Sequence, residues 1–145
     1  MNDAKLIHVV TGCLFNQNAE LLVVRKRNTE RFMLPGGKPE AGESPAATLL
    51  REWQEELGIQ PKGKPALLGT FIAAAANEPD HRVSATTWLI DNANIEGIRC
   101  AAEIAEYAWI SLAPQPQLPL APLLQHHIIP ALQEFLSGPG TAPVD

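Results

Sequence analysis

Apolar positions alternate or cluster in short blocks over the first third of the chain, then switch to a helical period. Residues 5–14, KLIHVVTGCL, and 20–26, ELLVVRK, are rich in β-branched and apolar side chains and predict two strands. Asn16-Gln17-Asn18 between them predicts a turn, so the two are expected to pair as a hairpin. Met33-Leu34-Pro35 then runs into Gly36-Gly37, which predicts a third strand ending in a tight turn.

The period changes at Ser44-Pro45. Serine caps free backbone N–H groups, and proline suits the first helical position. Gly58 supplies a residue suited to a left-handed helix end, so a helix is predicted over 45–57. At about 100° per residue, with Arg51 at zero, Glu55 falls near 40°, Glu52 near 100° and Glu56 near 140°. Ala46, Ala47, Leu49, Leu50, Trp53 and Leu57 fill the arc from about 160° to 320° and are expected to pack inward. One face is thus apolar, and the other gathers three carboxylates and an arginine.

Beyond a turn-rich connection over 60–65, residues 66–75 and 81–90 predict two more strands joined by a loop at 76–80. Asp91 to Gly97 is a turn, with Ile95 and Ile98 able to open the next strand, and a short strand follows around Trp109. Leu120 to Leu136 carries Leu123, Leu124, Ile128, Ala131, Leu132 and Phe135 at helical spacing, with Pro130 expected to kink or restart the helix. The order β-β-β-α-β-β-β-α predicts an α+β or α/β fold in one domain over 1–136, with a loose Gly/Pro-rich tail over 137–145.

Composition narrows the function class. A chain of 145 residues is long enough for a proper core. Its net charge of −5 argues against a surface that coats nucleic acid. No apolar run approaches a membrane span and the N-terminus lacks a signal-peptide pattern, so cytoplasm is the expected compartment. Cys13 and Cys100 do not make a disulfide framework and are expected to be small buried apolar residues.

The acidic helix face carries the candidate chemistry. Glu52 and Glu56 stand at i,i+4, where like charges cost a few tenths of a kcal/mol, roughly, unless something offsets them. Solvent alone does this on many surface helices. Here the flanks point elsewhere. Glu43 lies just before the helix N-terminus, where the dipole favours a carboxylate, and the glycine turn lets backbone approach a ligand closely. Glutamate oxygens with a backbone carbonyl form a hard oxygen site suited to Mg²⁺ or Mn²⁺, with remaining ligands taken from water and substrate phosphate.

The stretch Gly36–Ile59, GGKPEAGESPAATLLREWQEELGI, resembles the Nudix (MutT-like) box, G-x5-E-x7-R-E-U-x-E-E-x-G-U, where U is bulky and apolar. Gly37, Glu43, Arg51, Glu52, Trp53, Glu55, Glu56, Gly58 and Ile59 fill it without a gap; Trp53 stands where an aliphatic is more usual. The resemblance implies an α/β/α sandwich with a mixed sheet between helices. It implies hydrolysis of a pyrophosphate bond in a nucleoside diphosphate linked to another group. Glu52 and Glu56 would be the principal metal ligands, with Glu55 and the Gly36 carbonyl completing the site and Glu43 assisting. Arg51 would hold a box glutamate in place, with Gly37 and Gly58 as structural support. In such proteins a carboxylate before a Trp-containing strand often helps at the metal; Glu103 is similarly placed, with Glu106 next. Glu55 and Glu103 are the candidate general bases.

Candidate substrate contacts are Lys38, directly after the glycines, with Arg25, Lys26 and Arg27 at the strand end before the loop that leads to them, and Asn77 and Glu78 between the later strands. The leading expectation is a Mg²⁺-dependent hydrolase converting a (deoxy)nucleoside triphosphate to the monophosphate and pyrophosphate. The first alternative is an ADP-ribose or nucleotide-sugar pyrophosphatase. Ala74 and Ala75 stand where the ADP-ribose group carries a proline, and the diadenosine-polyphosphate tyrosine and the coenzyme A signature are also absent. The second alternative is a nucleotide-binding module without activity, although such modules usually lose box glutamates. A small-molecule nucleotide is the expected partner, and folds of this kind commonly form homodimers.

Overall fold

The computed structural model describes residues 5–75, 78–113 and 118–136. The proposed tail over 137–145 and Asn77 lie outside the described residues. Strands β1 (Lys5–Leu14), β2 (Leu21–Lys26) and β3 (Gly36–Gly37) precede helix α1 (Pro45–Leu57). Then come β4 (Pro61–Lys62), β5 (Ala66–Ala74), β6 (His81–Ile90), β7 (Asn92–Ala93) and β8 (Ile104–Ile110), and finally helix α2 (Ile129–Leu136).

The expected hairpin of β1 and β2 does not form. β1 lies inside a four-stranded mixed sheet of order β3-β1-β6-β5, parallel to β6 and antiparallel to β3. β2 pairs instead with β8, antiparallel, and β4 pairs with β7. The turn after β1 is real, since Asn16 Oδ1 accepts from the backbone N–H of Asn18 and Glu20, but only the Phe15–Leu21 bridge links its arms. The two strands then diverge because each buries both faces, which a simple hairpin cannot do. Leu22 and Val24 pack with Leu49, Trp53 and Leu57 of α1, while Leu21 and Val23 pack with Leu124, Ile128 and Leu132 on the α2 side. Strands between two helix-lined cores make the α/β/α sandwich.

Helix α1 starts and stops where its caps dictate. Ser44 Oγ accepts from the Ala47 N–H, and Gly58 takes the left-handed conformation at φ 68°. The buried face is narrower than its apolar residues suggest: Ala46, Ala47 and Leu50 are exposed, whereas Thr48, Leu49, Trp53, Glu56 and Leu57 are buried. Trp53 anchors the helix. Its Nε1 donates to the Pro35 carbonyl at 3.0 Å, and Gly12 leaves the space its ring fills, since a Cβ there would lie 2.7 Å from Trp53 Cζ2. Truncating such a side chain to alanine costs about 3–5 kcal/mol. The same contact fixes the glycine turn against α1.

Ile95 lies in a 3-10 turn, Ile95–Gly97, rather than opening a strand. The terminal helix contains a π turn over Leu124–Ile128 before α2. Pro130 has no N–H to return to the preceding turn, so the helix widens there and resumes at Ile129. Cys13 is buried, which pushes its thiol up to about 12, but Cys100 is exposed, contrary to expectation; both are free. Among the described residues no helix is long and apolar enough to cross a membrane.

Candidate active site

Three pieces of chain converge on a cleft of about 420 Å³: the Gly36-Gly37 turn, the C-terminal half of α1, and the segment entering β8. β3 holds the turn against β1, pairing Gly37 with Val10 and Gly36 with Thr11. The approach leaves no room for side chains. A Cβ on Gly36 would run into the Val10 carbonyl, and one on Gly37 into the Glu52 carboxylate. Glu52 therefore lies directly against the turn.

The last turn of α1 is tied to the next piece. Its free carbonyls at Glu56 and Leu57 accept from the backbone N–H of Ala101 (2.9 Å) and Arg99 (3.0 Å). This docks the segment before β8 and brings Glu103 to the cleft beside Glu52 and Glu56. Lys26, at the end of β2, enters from the other side, with Nζ 4.0 Å from Glu103 Oε2.

Arg51 organises the helix carboxylates. Its Nε and Nη2 donate to the two oxygens of Glu43 at 2.8 and 3.0 Å, Nη1 donates to Glu52 at 2.9 Å, and Nη2 also donates to the Lys38 carbonyl at 2.9 Å. The guanidinium holds the Glu43 carboxyl down at about 2, with the backbone N–H of Glu40 and the Thr48 hydroxyl assisting. Glu56 has the opposite environment. It is 4% exposed, and burial, with Glu52 and Glu103 adding repulsion against a smaller pull from Lys26, pushes its carboxyl up to about 8. A buried carboxyl that burial and two neighbouring carboxylates keep from ionising is a place where added positive charge is favoured, which fits a divalent cation. Among the described residues no three acidic, His or Cys side chains form a ready-made cage, so an ion held by Glu52 and Glu56 would draw further ligands from water and substrate.

The NUDIX domain family pattern matches residues 6–132 of this chain. The chain belongs to the Nudix family. It is 30% identical over 112 residues to the 8-oxo-dGTP diphosphatase of Escherichia coli strain K12, covering 74% of this chain and 82% of that one. It is also 30% identical over 145 residues to the CTP pyrophosphohydrolase of the same strain, covering 97% and 99%. The solution structure of the E. coli ORF135 protein shares the fold, with a TM-score of 0.68 at 24% identity, covering 100% of this chain and 99% of that one. The protein is an enzyme, a Nudix pyrophosphohydrolase.

Within this Nudix site the sequence-derived candidates separate into groups. Gly36, Gly37, Lys38, Glu52, Glu56, Glu78 and Glu103 line the cleft. Glu43 and Arg51 stand behind them as the ion pair just described. Glu55 is outside the lining; its side chain is 57% exposed and 3.5 Å from Arg51 Nη1. Gly58 ends α1 and contributes no lining. Arg25 does not reach the cleft, because it pairs with Glu106 (2.7 Å) and donates to the Thr29 carbonyl. Arg27 is exposed and also outside the lining. Of the three basic residues at this strand end, Lys26 alone lines the cleft. Strand alternation carried the signal: Leu22, Val24 and Lys26 share one face of β2.

Proposed function

We propose that the enzyme hydrolyses a (deoxy)nucleoside triphosphate to the monophosphate and pyrophosphate, with Mg²⁺ as its cofactor. The observation that supports this reading is the mixed lining of the cleft. It carries the charged residues Glu52, Glu56, Glu103, Glu78, Lys26 and Lys38 together with the apolar residues Ile7, Val9, Val83, Leu124 and Ile128. Charged and apolar lining in one cleft suits a polyphosphate attached to a flat base.

Glu52 and Glu56 would hold the ion, which when bound neutralises the phosphates and makes nearby water more acidic. Mn²⁺ suits the same oxygen donors. The Lys26 ammonium is positioned to take part of the phosphate charge, and Lys38, exposed at the rim, to take another part. Of the two candidate bases, Glu103 faces the cleft and Glu55 does not, which favours Glu103 for accepting the proton of the attacking water.

The test is product release by the pure protein with Mg²⁺ over a panel of NTPs, dNTPs, oxidised purine nucleotides, ADP-ribose and nucleotide sugars. Pyrophosphate released from triphosphates is the expected result. Turnover of ADP-ribose or nucleotide sugars alone, read after phosphatase treatment, would overturn the substrate class.

A further inference from the structure

Trp53 lies between Glu52 and Glu56 along α1 and is fully buried. Its indole Nε1 donates to the Pro35 carbonyl at 3.0 Å, and the backbone N–H of Gly12 donates to the same oxygen at 3.3 Å. Pro35 immediately precedes the Gly36-Gly37 turn. Gly12 also makes room for the indole, since a Cβ there would meet Trp53 Cζ2 at 2.7 Å. An aliphatic side chain, the more usual one at this place in the box, fills space but has no N–H to give.

The turn needs such an anchor. Two successive glycines carry no side chains to pack and are permissive in both backbone dihedrals. β3 is two residues long, and its pairing with β1 holds it to the sheet. Apolar packing of Leu49 and Leu57 presses α1 onto the core, but such packing is non-directional. The indole hydrogen bond has a length and a direction, and it runs from the helix that bears Glu52 and Glu56 to the residue before the turn. The fit it maintains is tight, because a Cβ on Gly37 would run into the Glu52 carboxylate.

We infer that Trp53 is a positioning residue for the divalent cation: its indole N–H fixes the spacing between the glycine turn and the carboxylates of Glu52 and Glu56. This rests on the Mg²⁺ reading above and not on which substrate is cleaved. Without the N–H, the Pro35 carbonyl keeps only the longer bond from Gly12. Mg²⁺ demands near-ideal geometry with donors at about 2.0–2.1 Å, so a small drift of turn against helix is felt as lost affinity.

The experiment compares Trp53→Phe with Leu49→Val in two readouts. Phenylalanine keeps an aromatic ring in the core and removes the N–H. Leu49→Val loosens the same core beside the same glycine and leaves both hydrogen bonds to Pro35 in place. The first readout is the Mg²⁺ concentration for half-maximal turnover of whichever substrate the wild-type enzyme cleaves fastest. The second is the rise in melting temperature when Mg²⁺ is added without substrate. In Trp53→Phe the half-maximal Mg²⁺ concentration should rise by about 10-fold or more, as on losing a group that orients metal ligands. Its melting rise with Mg²⁺ should shrink, while KM at saturating Mg²⁺ stays within about 3-fold of wild type. Leu49→Val should melt lower yet respond to Mg²⁺ as the wild type does. Gly12→Ala, which crowds the indole from the other side, should shift the Mg²⁺ response as Trp53→Phe does, and it decides the matter if Trp53→Phe does not fold.

A folded Trp53→Phe protein with the wild-type Mg²⁺ response overturns the role, however far its melting temperature falls. Equal losses of Mg²⁺ response in Trp53→Phe and Leu49→Val overturn it too, since they mark general loosening. Either result leaves the triphosphate reading standing. A wild type that cleaves only ADP-ribose or nucleotide sugars overturns that reading alone, and the Mg²⁺ comparison then decides Trp53 on that substrate. A wild type indifferent to Mg²⁺ in both readouts takes down the cation reading and the role of Trp53 together.

Discussion

Arg51 grips both oxygens of Glu43, eight residues before it, through a two-pronged ion pair at 2.8 and 3.0 Å. The same guanidinium reaches Glu52 and the Lys38 carbonyl. One planar cation thus ties the loop before α1, the helix and the glycine turn together. Lysine keeps the charge but cannot make the fork. Arg51→Lys should lower kcat by about 10-fold or more, as loss of a group supporting metal ligands typically does. A full kinetic profile of Arg51→Lys checks this, and an unchanged kcat would mean that the fork does not position the carboxylates.

The Glu43 carboxyl, held at about 2 in the folded chain against 4.5 ordinarily, makes part of the stability acid-labile. A depressed carboxyl contributes fully above the unfolded value and loses its contribution as pH falls through the folded one. Glu43→Gln should therefore melt below the wild type at neutral pH, with the gap closing between pH 4.5 and 2. Melting curves across that window decide it; a gap independent of pH would place the effect elsewhere.

Gly37 faces the Glu52 carboxylate with no space between them. Gly37→Ala should push Glu52 off its position and reduce kcat by about 10²-fold, a size typical of disturbed active-site electrostatics. The protein should still fold, because the contact is with the end of a side chain. Activity close to wild type would show that Glu52 can relocate without cost.

Much of this arrangement was legible in the chain, for local reasons. Ser44, Pro45 and Gly58 mark both ends of α1, and box spacing places Glu52 and Glu56 on one side of it. The pairing of β1 was not legible, since its main partner β6 lies some 76 residues away and a nearby turn suggested a hairpin. Leu50 was misplaced because a bulky apolar side chain on an amphipathic helix looks buried by type alone. The buried position went instead to Glu56, at the margin of the apolar arc, where burial of a carboxylate serves the site rather than the core.

That burial has a thermodynamic signature. The Glu56 carboxyl is raised from 4.5 to about 8, so in this range the folded chain holds a proton that the unfolded chain has lost. Its contribution is present below pH 4.5 and lost as pH rises through 8. In metal-free buffer, Glu56→Gln should gain melting temperature relative to the wild type as pH rises, reaching a few degrees, roughly, at the alkaline end. Added Mg²⁺ should narrow that gap by stabilising the wild type more. Parallel pH profiles for the two proteins would contradict the environment described for Glu56.

The most direct test of the whole account is kcat of Glu56→Gln on the preferred nucleotide with saturating Mg²⁺, measured beside its melting curve. Glutamine keeps the shape and removes the charge that would hold the ion. The account predicts a folded protein with kcat lowered by at least about 10²-fold. A folded Glu56→Gln enzyme with wild-type turnover would contradict it, and the catalytic centre would then have to lie away from Glu52 and Glu56.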